Sequence, residues 1–131
     1  MNMVVCIKQI QDPEIPPAKF KIDPETNKVI PPEGVPPVIN PFDEQAVEAA
    51  LRIKDTRSGK ITAITLGKSQ AKDILRHALA MGADEAIILE DETLEGSDSS
   101  GIALALSKAI EKIGQYDLVL CGRQAADWDE G

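Results

Sequence analysis

The chain has 131 residues, room for one domain with a real core and too few for two. Apolar residues make up 43% and aromatics only 3%, so the core must be aliphatic and alanine-rich. With 22 acidic against 14 basic residues the net charge is −8, a surface that repels nucleic acid and anionic lipid.

"MVVCIKQI" (Met3–Ile10) is a β-branched run and reads as a first strand. Its flanks carry no basic leader, and its apolar run is far too short for a signal or a membrane span. The expectation is a soluble, cytoplasmic protein without membrane insertion. A proline-dense connection follows from Gln11 to Pro37, and "KFKIDPETNKVI" within it alternates around Asp23-Pro24 as a small hairpin would. "IPPEGVPPVI" cannot be helical, because its prolines lack amide donors.

"NPFDEQAVEAALRIKD" opens a helix: Asn40 can N-cap, Pro41 suits the first position, and acids fill the first turn. Phe42, Ala46, Ala49, Ala50 and Ile53 form its expected apolar face, and Gly59 ends the unit. "KITAITL" (Lys60–Leu66) is the second strand, and "SQAKDILRHALAM", stopped by Gly82, is the second helix. "EAIILE" (Glu85–Glu90) is the third strand. In "GSDSSG", Ser97 or Asp98 can cap a third helix whose face is Ile102, Leu106, Ala109, Ile110 and Ile113. Gly114 stops it, and "YDLVLC" is the fourth strand.

Strands alternating with amphipathic helices predict a single α/β domain over residues 1–131, a doubly wound, mostly parallel, Rossmann-like sheet. Its expected strand order is 3-2-1-4. Strands 1 and 4 are then neighbours, and the crevice between their carboxyl ends is where such sheets bind ligands. The loop "GRQAADWDEG" after strand 4 falls there. Cys6 and Cys121 would share one buried layer as free, sheltered thiols.

Several motifs fail on inspection. "GKS" at Gly67–Ser69 lacks the earlier glycine of a phosphate loop, since Thr62 stands in its place, so Ser69 reads as a helix cap. Neither a GxGxxG nor an SGG-type loop follows strand 1, which weighs against common dinucleotide sites and ATP-cleaving ligases. His77 is the only histidine and reads as a solvated helix-flank residue, leaving triad chemistry without support. Asp127-x-Asp129 reads as two solvated acids before it reads as a cation site. Ser97–Ser100 reads as a helix cap before an anion site. Arg123 is the best cationic candidate in the crevice.

Four segments together resemble the β subunit of electron transfer flavoprotein: "VVCIKQI", "INPFDEQAVEAALRIKD", "ALAMGADEA" and "CGRQAADWDEG", in that order. The resemblance implies a heterodimer with an α subunit that carries most of a redox FAD. It implies electrons received from flavin dehydrogenases of the acyl-CoA type and passed to a quinone-linked or other acceptor. It implies an electron carrier without independent catalysis, whose β chain binds AMP or a second FAD. Carried over residue by residue, the nucleotide positions are Cys6, Asn40, Pro41, Phe42, Asp43 and Leu66. The rest are Gly122, Arg123, Gln124, Ala125, Ala126, Asp127, Trp128, Asp129, Glu130 and Gly131. Family members run to about twice this length by resemblance, so the chain reads as truncated at its C-terminus. Where the family often has a loop like "AIDGDT", Trp128 and Glu130 depart from it, which leaves AMP and FAD both open. The alternative is a stand-alone adenine-nucleotide module of the universal-stress type. Its Gly-x-x-Gly is broken here by Ala125.

Overall fold

A computed structural model of the chain describes residues 1–10, 21–22, 24–25, 29–30, 37–90 and 98–126. In chain order the described strands are β1 (Met3–Cys6), β2 (Gln9–Ile10), β3 (Lys21–Ile22), β4 (Val29–Ile30) and β5 (Val38–Ile39). Helix α1 (Pro41–Thr56), strand β6 (Ile61–Leu66), helix α2 (Lys72–Met81), strand β7 (Glu85–Leu89), helix α3 (Ser99–Ile113) and strand β8 (Leu118–Cys121) complete them. The main sheet has the order β7-β6-β1-β8, with every pair parallel. That is the expected 3-2-1-4 arrangement.

Period-two alternation sends the strands' side chains to opposite faces. Met3, Val5, Ile7, Ile61 and Ala63 meet Ala46, Val47 and Ala50 of α1 and Ile74, Leu75 and Ala78 of α2. Val4 and Ile64 on the other face meet Ile110 of α3, flanked by Leu106, Ala109 and Ile113. Helices on both faces make the sheet doubly wound. The alanines earn no area by themselves; their value is that they let the helices sit close enough for dense packing.

The structure corrects four details of the sequence reading. The first strand does not run to Ile10 within the main sheet. The Lys8 amide donates to the Asp43 carboxylate at 2.7 Å, and the Lys8 carbonyl accepts from the Asn40 amide at 2.8 Å. Backbone groups that would extend the sheet are thereby taken, and β2 instead pairs antiparallel with β5. On α1 the buried residues are Asp43, Ala46, Val47 and Ala50, while Phe42, Ala49 and Ile53 lie at the margin. The inward face is rotated because Asp43 reaches in to its amide partners.

Asn40 occupies the N-cap position, but its side chain makes no cap bond. Ser69 caps nothing either; it starts a 3-10 turn, Ser69–Ala71, ahead of α2. Asp98 does cap α3, accepting from the Gly101 amide at 2.8 Å. Ser97 lies outside the described residues. The excursion hairpin is present, as β3 antiparallel to β4. Gly82 ends α2 at φ +130°, where an added Cβ would also meet Leu51 Cδ2 at 2.8 Å. Among the described residues no helix is long and apolar enough to cross a membrane.

Candidate functional site

At the carboxyl ends of β1, β6 and β8 the chain brings together most of the residues singled out in the sequence. Cys6 ends β1, Leu66 ends β6, Asn40–Asp43 begin α1, and Gly122–Ala126 leave β8. Asp127, Trp128, Asp129, Glu130 and Gly131 lie outside the described residues, and with them the Asp127-x-Asp129 pair.

Asn40 is the joint between these segments. Its Nδ2 donates to the Gln124 carbonyl at 2.8 Å, and its Oδ1 accepts from the Ala126 amide at 3.0 Å. It is 2% exposed, so those two bonds satisfy a side chain that water does not reach. Its own carbonyl accepts from the Asp43 and Glu44 amides at 2.9 and 3.0 Å. One residue thus closes the first turn of α1 and holds a loop more than eighty positions away.

Gly122 makes the close approach possible. A Cβ there would overlap the Asp43 carboxylate and lie 2.7 Å from the Phe42 carbonyl carbon and 2.8 Å from the Asp43 nitrogen. Burial pushes the Asp43 carboxyl above its ordinary pKa. The Asn40 side chain, the Lys8 and Gly122 amides and the Lys8 charge pull the other way. By sequence Asp43 is both an acid of the first helical turn and one of the nucleotide positions that the resemblance implies, and its spacing gives no sign of these amide partners.

Cys6 and Cys121 are direct partners across the β1–β8 seam, and both are free thiols. They are not equally sheltered, which corrects the expectation of one buried layer. Cys6 is half-buried against Val4, Ile64 and Ile110, whereas Cys121 is exposed. Helix α3 packs over β1 and β6 and leaves β8 open, so Val119 on the same strand face is 37% exposed. Contact with Cys121, then burial, pushes Cys6 well above the usual thiol range. Contact with Cys6 lowers Cys121 to about 7, against burial and the Asp43 charge.

Thr65, next to Leu66, was missed. Its hydroxyl is buried and has no hydrogen-bond partner among the described residues. A lone threonine in a strand gives no sequence signal for that. Arg123 is exposed beside the loop. His77 pairs with Glu44 at 3.2 Å, both side chains about half exposed, as a flank histidine would. They line a groove of about 700 Å³ between α1, α2 and β5, which Pro41 also borders. Among the described residues no group of three or more His, Cys, Asp or Glu side chains could hold a metal ion. The backbone groups of Lys8, Gly122, Gln124 and Ala126 are engaged by Asp43 and Asn40, which tie the loop after β8 to the start of α1.

An electron transfer flavoprotein domain matches residues 28–130. The chain is 52% identical over 129 residues to electron transfer flavoprotein subunit beta of Thermoanaerobacterium thermosaccharolyticum, covering 98% of this chain and 47% of that protein. It is 45% identical over 130 residues to the caffeyl-CoA reductase-Etf complex subunit CarD of Acetobacterium woodii, covering 98% and 48%. Protein FixA of Azorhizobium caulinodans is 42% identical over 133 residues, with 98% and 46% covered. The chain therefore spans about half the length of the curated relatives it matches. With the four-strand sheet, the joined crevice and these matches in agreement, the chain belongs to the electron transfer flavoprotein family, among relatives that are its β subunits.

Proposed function

We propose that this chain is the nucleotide-binding portion of an electron transfer flavoprotein β subunit, with AMP or a second FAD held at the carboxyl ends of β1 and β8. The observation that carries the reading is the Asn40 joint, which fixes the 124–126 loop to the start of α1 at the sheet's switch point. Two features fit an adenine nucleotide there. Gly122 lets a backbone loop lie against a helix start, and Thr65 contributes an unused buried hydroxyl beside Leu66. Cys6, Asn40–Asp43, Leu66 and Gly122–Gly131 form the proposed binding set.

The flavin supplies the reversible uptake and release of electrons when bound. The residues of this chain bind and orient. Loop amides other than those of Gly122 and Ala126, with Arg123, would hold phosphate against the acidic net charge. The Gly122 and Lys8 amides are engaged by Asp43, and the Ala126 amide by Asn40. An α subunit would carry most of the redox FAD, flavin dehydrogenases would donate electrons, and the assembly would work in the cytoplasm without bond-making catalysis. The name of CarD, a subunit of a caffeyl-CoA reductase complex, supports a donor or acceptor of the acyl-CoA type. The family match over residues 28–130 favours this reading over a universal-stress module.

The test is to purify the protein with its α partner, denature it, and quantify released nucleotides by chromatography. One flavin with one AMP per heterodimer, or two flavins, supports the reading and chooses between its two forms. One flavin and no second nucleotide overturns it. Trp128, the only tryptophan, supplies a second readout: AMP or FAD added to the apo-protein should change its emission saturably.

A further inference from the structure

The amides that follow two neighbouring strands converge on one carboxylate. Cys6 and Cys121 end β1 and β8 in register, and Lys8 and Gly122 come just after them. The amides of both donate to Asp43, that of Lys8 at 2.7 Å. The Asn40 side chain is a third donor to the same group. Asn40 is 2% exposed and Asp43 7%, so these contacts lie out of reach of water. Backbone amides grouped at the carboxyl ends of such strands make a concavity that takes an anion. Here a side chain from the first turn of α1 has entered it.

We propose that the Asp43 carboxylate is the built-in occupant of an anion seat between the ends of β1 and β8. Asp43 thereby sets specificity, because it keeps the phosphate of any bound ligand off the Lys8 and Gly122 amides. The inference concerns the seat alone and stands whether or not a nucleotide binds beyond it.

The surroundings fit that occupant. A buried carboxylate is tolerated only where donors replace the water it has lost. The two amides and Asn40 supply those donors, and the Lys8 ammonium offsets part of the charge. Gly122 keeps the space open, since a Cβ there would overlap the carboxylate itself. The thiols of Cys6 and Cys121 face Asp43 from β1 and β8. A phosphate brought to the same amides would find both already donating. It would also meet a like charge at contact distance, which Coulomb repulsion disfavours.

The experiment crystallises the full-length protein, with its partner subunit, from inorganic phosphate, and follows variants by urea denaturation. The expected crystal structure keeps both amides on Asp43, with no phosphate oxygen on either. A phosphate on the Lys8 or Gly122 amide overturns the proposal, and this arm needs no variant. Asp43→Ala empties the seat and leaves space the size of formate. Sodium formate should raise the urea midpoint of this variant saturably, as binding to the folded state does, and sodium chloride of equal ionic strength should not. Asp43→Asn refills the seat with a neutral group of the same shape, and its midpoint should respond to formate no more than that of wild type. Formate that acts on Asp43→Ala no better than chloride, or that raises wild type and Asp43→Ala alike, overturns the proposal.

Discussion

Each end of the main sheet is tied by an aspartate that accepts from backbone amides, and the two behave in opposite ways. At the amino end Asp84 accepts from the Ile61 amide at 2.8 Å and pairs with Lys54 Nζ at 2.8 Å. It is exposed, and Lys54 first, then the Ile61 amide, hold its carboxyl below its ordinary pKa. At the carboxyl end Asp43 accepts from Lys8 in the same manner but is buried, and burial pushes its pKa up. The Lys54 partner decides the sign at Asp84, and burial decides it at Asp43. One end is arranged for stability, whereas the other keeps a strained electrostatic balance where the proposed ligand binds.

The glycines extend the contrast and give the largest expected effect. Gly122→Ala should destabilise the protein by about 1–3 kcal/mol, since its Cβ meets helix backbone that cannot yield. Gly59→Ala at the other end would also overlap backbone, that of Met1, whose ammonium donates to the Ser58 carbonyl, so both variants should lose stability. Urea denaturation checks this, and an unchanged midpoint for Gly122→Ala would break the account. Nucleotide content of the purified heterodimer should fall for Gly122→Ala alone.

Asn40→Ala comes next, at about 1–3 kcal/mol, because the Gln124 carbonyl and Ala126 amide lose their partner. Asn40→Asp should be worse than alanine near neutral pH. It loses the donor to Gln124 and places a second buried carboxylate beside Asp43. If aspartate proves as good as asparagine, the Nδ2 bond is not what holds the loop.

Smaller still is Lys54→Met, which removes a cation from an exposed pair and should cost less than about 1 kcal/mol. The loss should shrink further in high salt. A loss that salt leaves unchanged would mean that the lysine acts through packing.

The subtlest test is the pH dependence of Asp84→Asn and Asp43→Asn, compared with wild type by urea midpoints at several pH values. The folded pKa of Asp84 is depressed, so its contribution is full above the ordinary 3.8 and is lost as pH falls through the lower folded value. Asp84→Asn should therefore approach wild type in acid. The folded pKa of Asp43 is raised, so its contribution is greatest below 3.8 and declines as pH rises through the folded value. Asp43→Asn should gain on wild type as pH rises. Difference curves that slope the same way would refute the account of the two ends.

Much of this was legible one segment at a time. The run Ile61–Leu66, the periodicity of Ile102–Ile113, and the stops at Gly82 and Gly114 placed the elements within a few residues. Asp98 was readable as a cap because its partner is three residues away. Asn40 was misread for the same reason. A cap is the local use of an asparagine before a helix, and its actual partners, Gln124 and Ala126, are remote in sequence. Cys121 was expected to be buried because "LVLC" is apolar throughout, yet among the described residues α3 packs on β1 and β6 and does not cover it.

What the sequence by itself determined is the order of elements, their helical or extended character, and, through parallel crossovers, the neighbours in the sheet. Those follow from local periodicity and from the handedness of short connections, which act over few residues. Only the tertiary structure decided where β1 leaves the sheet, which way α1 turns its inward face, and which aspartate is buried. It also decided which thiol of an aligned pair meets solvent. Each of those depends on a hydrogen bond or a covering surface supplied by a distant segment, and no periodicity records a partner that far away.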